Sequence, residues 1–187
     1  MKEKGNIYHC VMIFSRKKDN PEQQKSTMMK YQELIPRHKI AENIPKFELL
    51  AKLYNARIYV SVNPVDMRKA REDLILRLIK SSFDDKGHSD VSNFIRQVFS
   101  SCMRCSERKN KKFLLDVDTV NFPDIDVLQQ TLRINKIEWK SYRTKNGYHY
   151  IIPACDVRLF ENMSFVEVKK DGMTVIDYIK DLEGVEK

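Results

Sequence analysis

Between residues 113 and 169 the spacing of apolar residues changes period in a fixed order, and that order limits the available folds more than any other property of the chain. Phe113-Leu-Leu-Asp-Val-Asp-Thr119 alternates apolar and polar positions as a half-buried strand does. Asn121 and Pro123 then open a helical run that carries Ile125, Leu128 and Leu132 inward. A strand over 137–143 turns at Lys145-Asn-Gly147 into a strand over 148–152, and Asn-Gly is a strong hairpin signal. Pro153 ends this strand, a short helix is predicted over Asp156–Asn162, and a last strand over Ser164–Lys169.

Strand, helix, strand, strand, helix, strand is the order of a ferredoxin-like or RNA-recognition-motif-like (RRM-like) βαββαβ sheet. Its first and third strands are antiparallel neighbours at the centre, with the fourth on the other side of the first. Strand 148–152 is therefore expected beside strand 113–119. Asp116 and Asp118 leave one face, which His149 shares, while Leu115 and Val117 point into the helices. On the fourth strand Glu167 is expected on that same open face, with Asp171 in the following Lys169-Lys-Asp-Gly172 turn.

The first half alternates strands and helices. Ile7–Ser15 reads as a strand, Lys17-Lys-Asp-Asn-Pro21 as a turn, and Ile44–Tyr54 as a helix with Phe47, Leu50, Leu53 and Tyr54 at helical spacing. Residues 56–62 read as a strand with Arg57, Tyr59 and Ser61 on one face. Asn63 and Pro64 then cap and begin a long amphipathic helix to about Ser82, and Ser89 and Asp90 begin another to about Ser101. The expected class is α+β: residues 1–187 form a single compact domain, in which an N-terminal αβ module (1–105) packs on the RRM-like sheet of a catalytic-type module (113–187).

Charge bears on the partner. Against 26 Asp and Glu stand 34 Lys and Arg, a formal charge of +8, for which a nucleic acid or nucleotide is the natural partner. Solvated lysine-rich faces are the plain alternative. The N-terminus reads as no signal peptide and no apolar run is long enough to span a membrane, so the protein is expected to be cytoplasmic with no membrane partner. Cys10, Cys102, Cys105 and Cys155 are too few for a disulfide framework. Cys102 and Cys105 have zinc-knuckle spacing, but no second such pair exists. Trp139 reads as packing rather than as a base-stacking platform.

Two carboxylates two residues apart on a strand can hold Mg²⁺ or Mn²⁺, since hard cations take oxygen ligands and leave positions open for phosphate oxygens. A pair of such ions activates an attacking hydroxyl and stabilises a pyrophosphate leaving group, and a third carboxylate usually completes the set. Asp171, Asp177 and Glu167 are the candidates for it. Lys145, His149 and Arg143 can hold a triphosphate by charge-assisted hydrogen bonds. Arg57 and the basic stretch with Arg104, Arg108, Lys109, Lys111 and Lys112 are candidate contacts to a nucleic-acid backbone.

Leu115-Asp-Val-Asp118 followed by Thr144-Lys-Asn-Gly-Tyr-His149 resembles the motif pair of the archaeo-eukaryotic primase (primase-polymerase) superfamily, as a small, minimal-core member. The resemblance covers most of the chain in the order of its modules and of these two motifs. It implies an RRM-like catalytic sheet packed against an αβ module, metal ligation by Asp116 and Asp118, and nucleotide phosphate binding by His149. The family's third motif, an apolar residue followed by Asp, has no full counterpart in the residues after His149. The leading expectation is a primase-like nucleotidyltransferase that uses Mg²⁺ or Mn²⁺ with a nucleoside triphosphate on a nucleic acid, working in DNA replication beside other replication proteins. The alternatives are a non-catalytic nucleic-acid or nucleotide binder on the same fold, and a metal-dependent nuclease using the same carboxylates.

Overall fold

The apolar alternation that starts after Ile7 becomes the first strand in the computed structural model, which describes residues 7–83 and 110–178. In chain order the elements are β1 (Tyr8–Arg16), β2 (Thr27–Pro36), α1 (Ile40–Leu53), β3 (Arg57–Ser61), α2 (Met67–Phe83), β4 (Lys112–Val117), α3 (Phe122–Ile134), β5 (Lys140–Arg143), β6 (Tyr148–Pro153), β7 (Val166–Lys169) and β8 (Met173–Val175). They form two antiparallel four-stranded sheets, ordered β2-β1-β3-β8 and β5-β6-β4-β7.

Period-two alternation decides what each face of the second sheet meets. Phe113, Leu115 and Val117 of β4 join Tyr150 and Ile152 of β6 in a core closed by Leu128 and Leu132 of α3. Leu114 and Ile151 point the other way, into a core with Val11, Ile13 and Val60 of the first sheet and Ile40 and Phe47 of α1. Burying Leu114 and Ile151 there contributes about 3–6 kcal/mol to holding the sheets together. The face carrying Asp116 is thus not open along its length. It is sealed at Leu114 and opens into a cleft at Asp116.

Several elements depart from the sequence reading. β2 and β8 were not expected. β2 is mostly half-buried, with Ile35 alone fully buried, and its polar residues break the alternation, while β8 is three residues long. β8 also carries the C-terminal segment back to the N-terminal sheet, where it pairs with β3, so the module expected over 113–187 contributes a strand to its neighbour. α1 starts one turn before Ile44, with Pro45 inside it. α2 begins at Met67 rather than Pro64, and Asp66 Oδ1 accepts the Lys69 N–H at 3.1 Å. Asn63 is no helix cap: buried, it takes the Lys112 N–H on its Oδ1 and donates its Nδ2 to the Lys112 carbonyl, both at 2.8 Å. In place of the helix over 156–162 there is a short 3₁₀ turn, Val157–Phe160. Phe160 of this turn is buried in the core beneath α3, with Val157, Leu159 and Met163 packed against it. The helix expected over 89–101 lies outside the described residues.

The β5–β6 hairpin forms where expected, for a different reason. No glycine among the described residues has a positive φ, so Gly147 is not there for left-handed backbone. A Cβ at Gly147 would fall 1.8 Å from the Val117 carbonyl oxygen, so only glycine lets the turn lie against the end of β4. Thr144 closes the turn, its N–H donating to the Gly147 carbonyl at 2.9 Å and its hydroxyl accepting the Gly147 N–H at 3.1 Å.

Candidate active site

Register places the central residues. Asp116 lies directly opposite His149 on β6 and opposite Glu167 on β7, so all three leave the same face. The His149 Nε2 is 3.3 Å from Asp116 Oδ1, and its Nδ1 is 3.0 Å from the Thr174 hydroxyl. In the neutral ring with Nε2–H donating to the carboxylate, Nδ1 accepts from Thr174. Thr174 is fully buried on β8, so the first sheet fixes a histidine carried by the second.

The second oxygen of Asp116 accepts from the Lys169 ammonium at 2.6 Å, and that ammonium also lies 3.0 Å from Glu167. The hydrogen bond from His149 and the one from Lys169 hold the Asp116 carboxyl far below its usual range, against the opposing effect of burial. Burial acts to lower Lys169, but its bonds to Asp116 and Glu167 outweigh this and raise it. Asp118 sits one residue beyond β4, its N–H donating to the Phe165 carbonyl at 3.0 Å. Its exposed carboxylate has no hydrogen-bond or ion-pair partner among the described residues.

These groups line one wall of a cleft of about 730 Å³ between the two sheets. The other wall carries Arg16, Lys18, Asp19, Arg57 and Tyr59, and the β5–β6 turn brings Lys145 and Arg143 to the rim. Arg57 grips Asp19 through Nε and Nη2 at 2.8 Å each, and Lys145 reaches the same carboxylate at 2.8 Å. The Lys145 hydrogen bond, helped by Arg57, holds Asp19 below its ordinary value. Arg143 lies over the Tyr148 ring at 4.7 Å and donates to its hydroxyl.

Of the residues singled out from the sequence, Asp116, Asp118, His149, Lys145, Arg143, Arg57 and Glu167 therefore meet in one cleft. Asp171 does not join them. Its carboxylate pairs with Lys111 at 3.0 Å beyond the far end of β7, because Lys169 is already opposite Leu114 and the chain runs on away from Asp116. Asp177 is exposed beyond β8. Lys112 is half-buried, its ammonium over the Tyr178 ring and 3.1 Å from its hydroxyl, which commits it to packing rather than to an exposed basic linker. Ser61 is buried and occupied with His9 and the Cys10 N–H, so the face expected to carry Arg57, Tyr59 and Ser61 is not uniformly open. Arg104, Arg108, Lys109, Cys102 and Cys105 lie outside the described residues. Trp139 packs into the core behind α3.

Three contributors were not singled out: Lys169, Thr174 and Asp19. Lys169 shares a strand face with Glu167 by alternation, so its place on the Asp116 face follows from local sequence. Thr174 and Asp19 act through pairings far apart in sequence, and neither carries a local signal. Among the described residues no group of three His, Cys, Asp or Glu side chains stands close enough to hold a metal ion, and no helix is long and apolar enough to cross a membrane. No protein-family model, curated protein or solved structure matches the chain.

Proposed function

We propose that the cleft binds a nucleoside triphosphate with a divalent cation and that the protein is a primase-polymerase-like nucleotidyltransferase acting on nucleic acid. The observation that carries this reading is the direct pairing of Asp116 with His149 at the mouth of a cleft that also receives Asp118 and Lys145. The strand order β5-β6-β4-β7 supports a ferredoxin-like or RRM-like sheet, with a 3₁₀ turn in place of its second helix. The charge of +8 suits a polyanionic partner.

The donors fit a hard cation in kind. Asp116 and Asp118 supply carboxylate oxygens on the cleft wall, and that of Asp118 is unpartnered among the described residues. Asp116 and Asp118 would hold Mg²⁺ or Mn²⁺, which would supply charge neutralisation to the phosphates; in its absence the Lys169 ammonium is the counter-charge of Asp116. Glu167, opposite Asp116 in register, faces the same cleft, where its carboxylate pairs with Lys169 at 3.0 Å. His149, braced from behind by Thr174, keeps its Nε2 edge beside Asp116, where a phosphate oxygen would take the Nε2–H in place of that carboxylate. Lys145 at the rim adds positive charge for the rest of the triphosphate, while the Arg143 guanidinium is stacked on Tyr148.

A second reading, a non-catalytic nucleic-acid or nucleotide binder, is favoured by one observation: Lys169 already neutralises Asp116 and Glu167. Incubation with primed template, labelled nucleotides and Mn²⁺ separates the two. Nucleotidyl transfer requires incorporation by the wild type that Asp118→Ala abolishes. Equal incorporation by both proteins sinks it, and metal-independent nucleic-acid binding that survives Asp116→Ala supports the second reading. Shortening of the labelled strand instead identifies a nuclease.

A further inference from the structure

Arg57 and Lys145 come from different sheets, yet both cations converge on one carboxylate, that of Asp19. Its side chain is only 14% exposed. The planar fork of Arg57 holds both Asp19 oxygens, and the same fork geometry suits two oxygens of a phosphate. Two positive charges face one negative charge, so the seat is left with an excess of positive charge. Asp19 is also held by its backbone independently of that carboxylate. Its carbonyl accepts from Asn55 Nδ2 at 2.7 Å, and Asn20 Nδ2 donates to the Asn55 carbonyl at 2.9 Å. The carboxylate can therefore leave by a side-chain rotation while the turn stays in place.

We propose that Arg57 and Lys145 form a phosphate seat that Asp19 occupies as an internal competitor, so that a bound polyphosphate displaces its carboxylate and takes both cations. The proposal rests on the phosphate-binding reading above and makes Arg57 a ligand of the nucleotide's phosphates rather than of a nucleic-acid backbone. A phosphate bearing two negative charges matches the two cations, which the single charge of Asp19 does not. Asp19 thereby sets a threshold: it lowers affinity for weakly charged anions and leaves the seat to polyphosphates.

The test is titration of the full chain with sodium tripolyphosphate in EDTA, which isolates the anion seat from any metal. Isothermal calorimetry on Asp19→Asn is expected to show binding about tenfold tighter than in the wild type, and Lys145→Gln or Arg57→Gln added to that variant removes the gain. In ¹⁵N-labelled wild type the Arg57 Nε–Hε resonance, assigned by its absence from Arg57→Lys, is expected to shift on titration. This second measurement does not depend on the folding of Asp19→Asn. An unchanged or weaker affinity in folded Asp19→Asn, or an Arg57 resonance that does not move, overturns the proposal. Incorporation of nucleotides without any tripolyphosphate effect leaves the nucleotidyl-transfer reading standing and removes the seat. A seat that responds as described in a protein that incorporates nothing does the reverse.

Discussion

Replacing Asp116 by asparagine keeps the shape of the side chain and removes its charge, which separates the electrostatic role of the carboxylate from packing. In the native protein it receives two charge-assisted contacts, from His149 Nε2 at 3.3 Å and from the Lys169 ammonium at 2.6 Å. A hydrogen bond to a charged group contributes roughly 1.5–3 kcal/mol. The Lys169 side chain is 35% exposed, so its share is discounted for screening by water. Asp116→Asn is then expected to lose about 2 kcal/mol, which for a chain of this length lowers Tm by roughly 4–8 °C. The effect has a definite pH dependence. The carboxyl is held below its ordinary value of 3.8 in the folded protein, so protons bind the unfolded chain more tightly. Its stabilisation is complete above about pH 4 and is lost as pH falls through the depressed folded value. Asparagine does not titrate, so the gap between wild type and variant narrows as the pH is lowered from about 5 to about 3. Melting followed by circular dichroism over that range measures it. A variant as stable as the wild type at neutral pH, or a gap that widens in acid, refutes the reasoning.

Gly147→Ala is expected to cost about 3 kcal/mol or more, because the new methyl group meets the Val117 carbonyl oxygen at 1.8 Å and β4 or the hairpin must shift. Urea unfolding measures the loss, and a change under 1 kcal/mol contradicts the close approach. Asn63→Ala removes both bonds that tie α2's approach to Lys112, leaving a main-chain N–H and carbonyl without their partner. A loss of about 2–4 kcal/mol in the same experiment is expected.

The second half of the chain was the legible part. The alternation over β4, the helix with Leu128 and Leu132 inward and the β5–β6 hairpin all follow from local period, and together they put His149 opposite Asp116. What was not legible depends on partners distant in sequence. β8 is too short to show a period, yet it carries Thr174 to His149. Asn63 has the look of a helix cap because Asn is a favoured N-cap and Pro a favoured first helical residue, but its amide is used across 49 residues to pair with Lys112. Asp19 sits in a turn of ordinary composition, and only the meeting of two sheets gives it Arg57 and Lys145. The Asp-x-Asp pattern pointed to the carboxylates, and it carried no sign that Lys169 would stand against one of them.

That ammonium makes the metal the sharpest issue. Crystals soaked with Mn²⁺ and a nucleoside triphosphate, with data collected at the manganese edge, test the central claim directly. Metal-assisted nucleotide binding in the cleft predicts an anomalous peak bound by Asp116 and Asp118, the Lys169 ammonium displaced from Asp116, and phosphate density beside His149. Nucleotide density with no manganese between the two carboxylates, and with Lys169 still on Asp116, contradicts it.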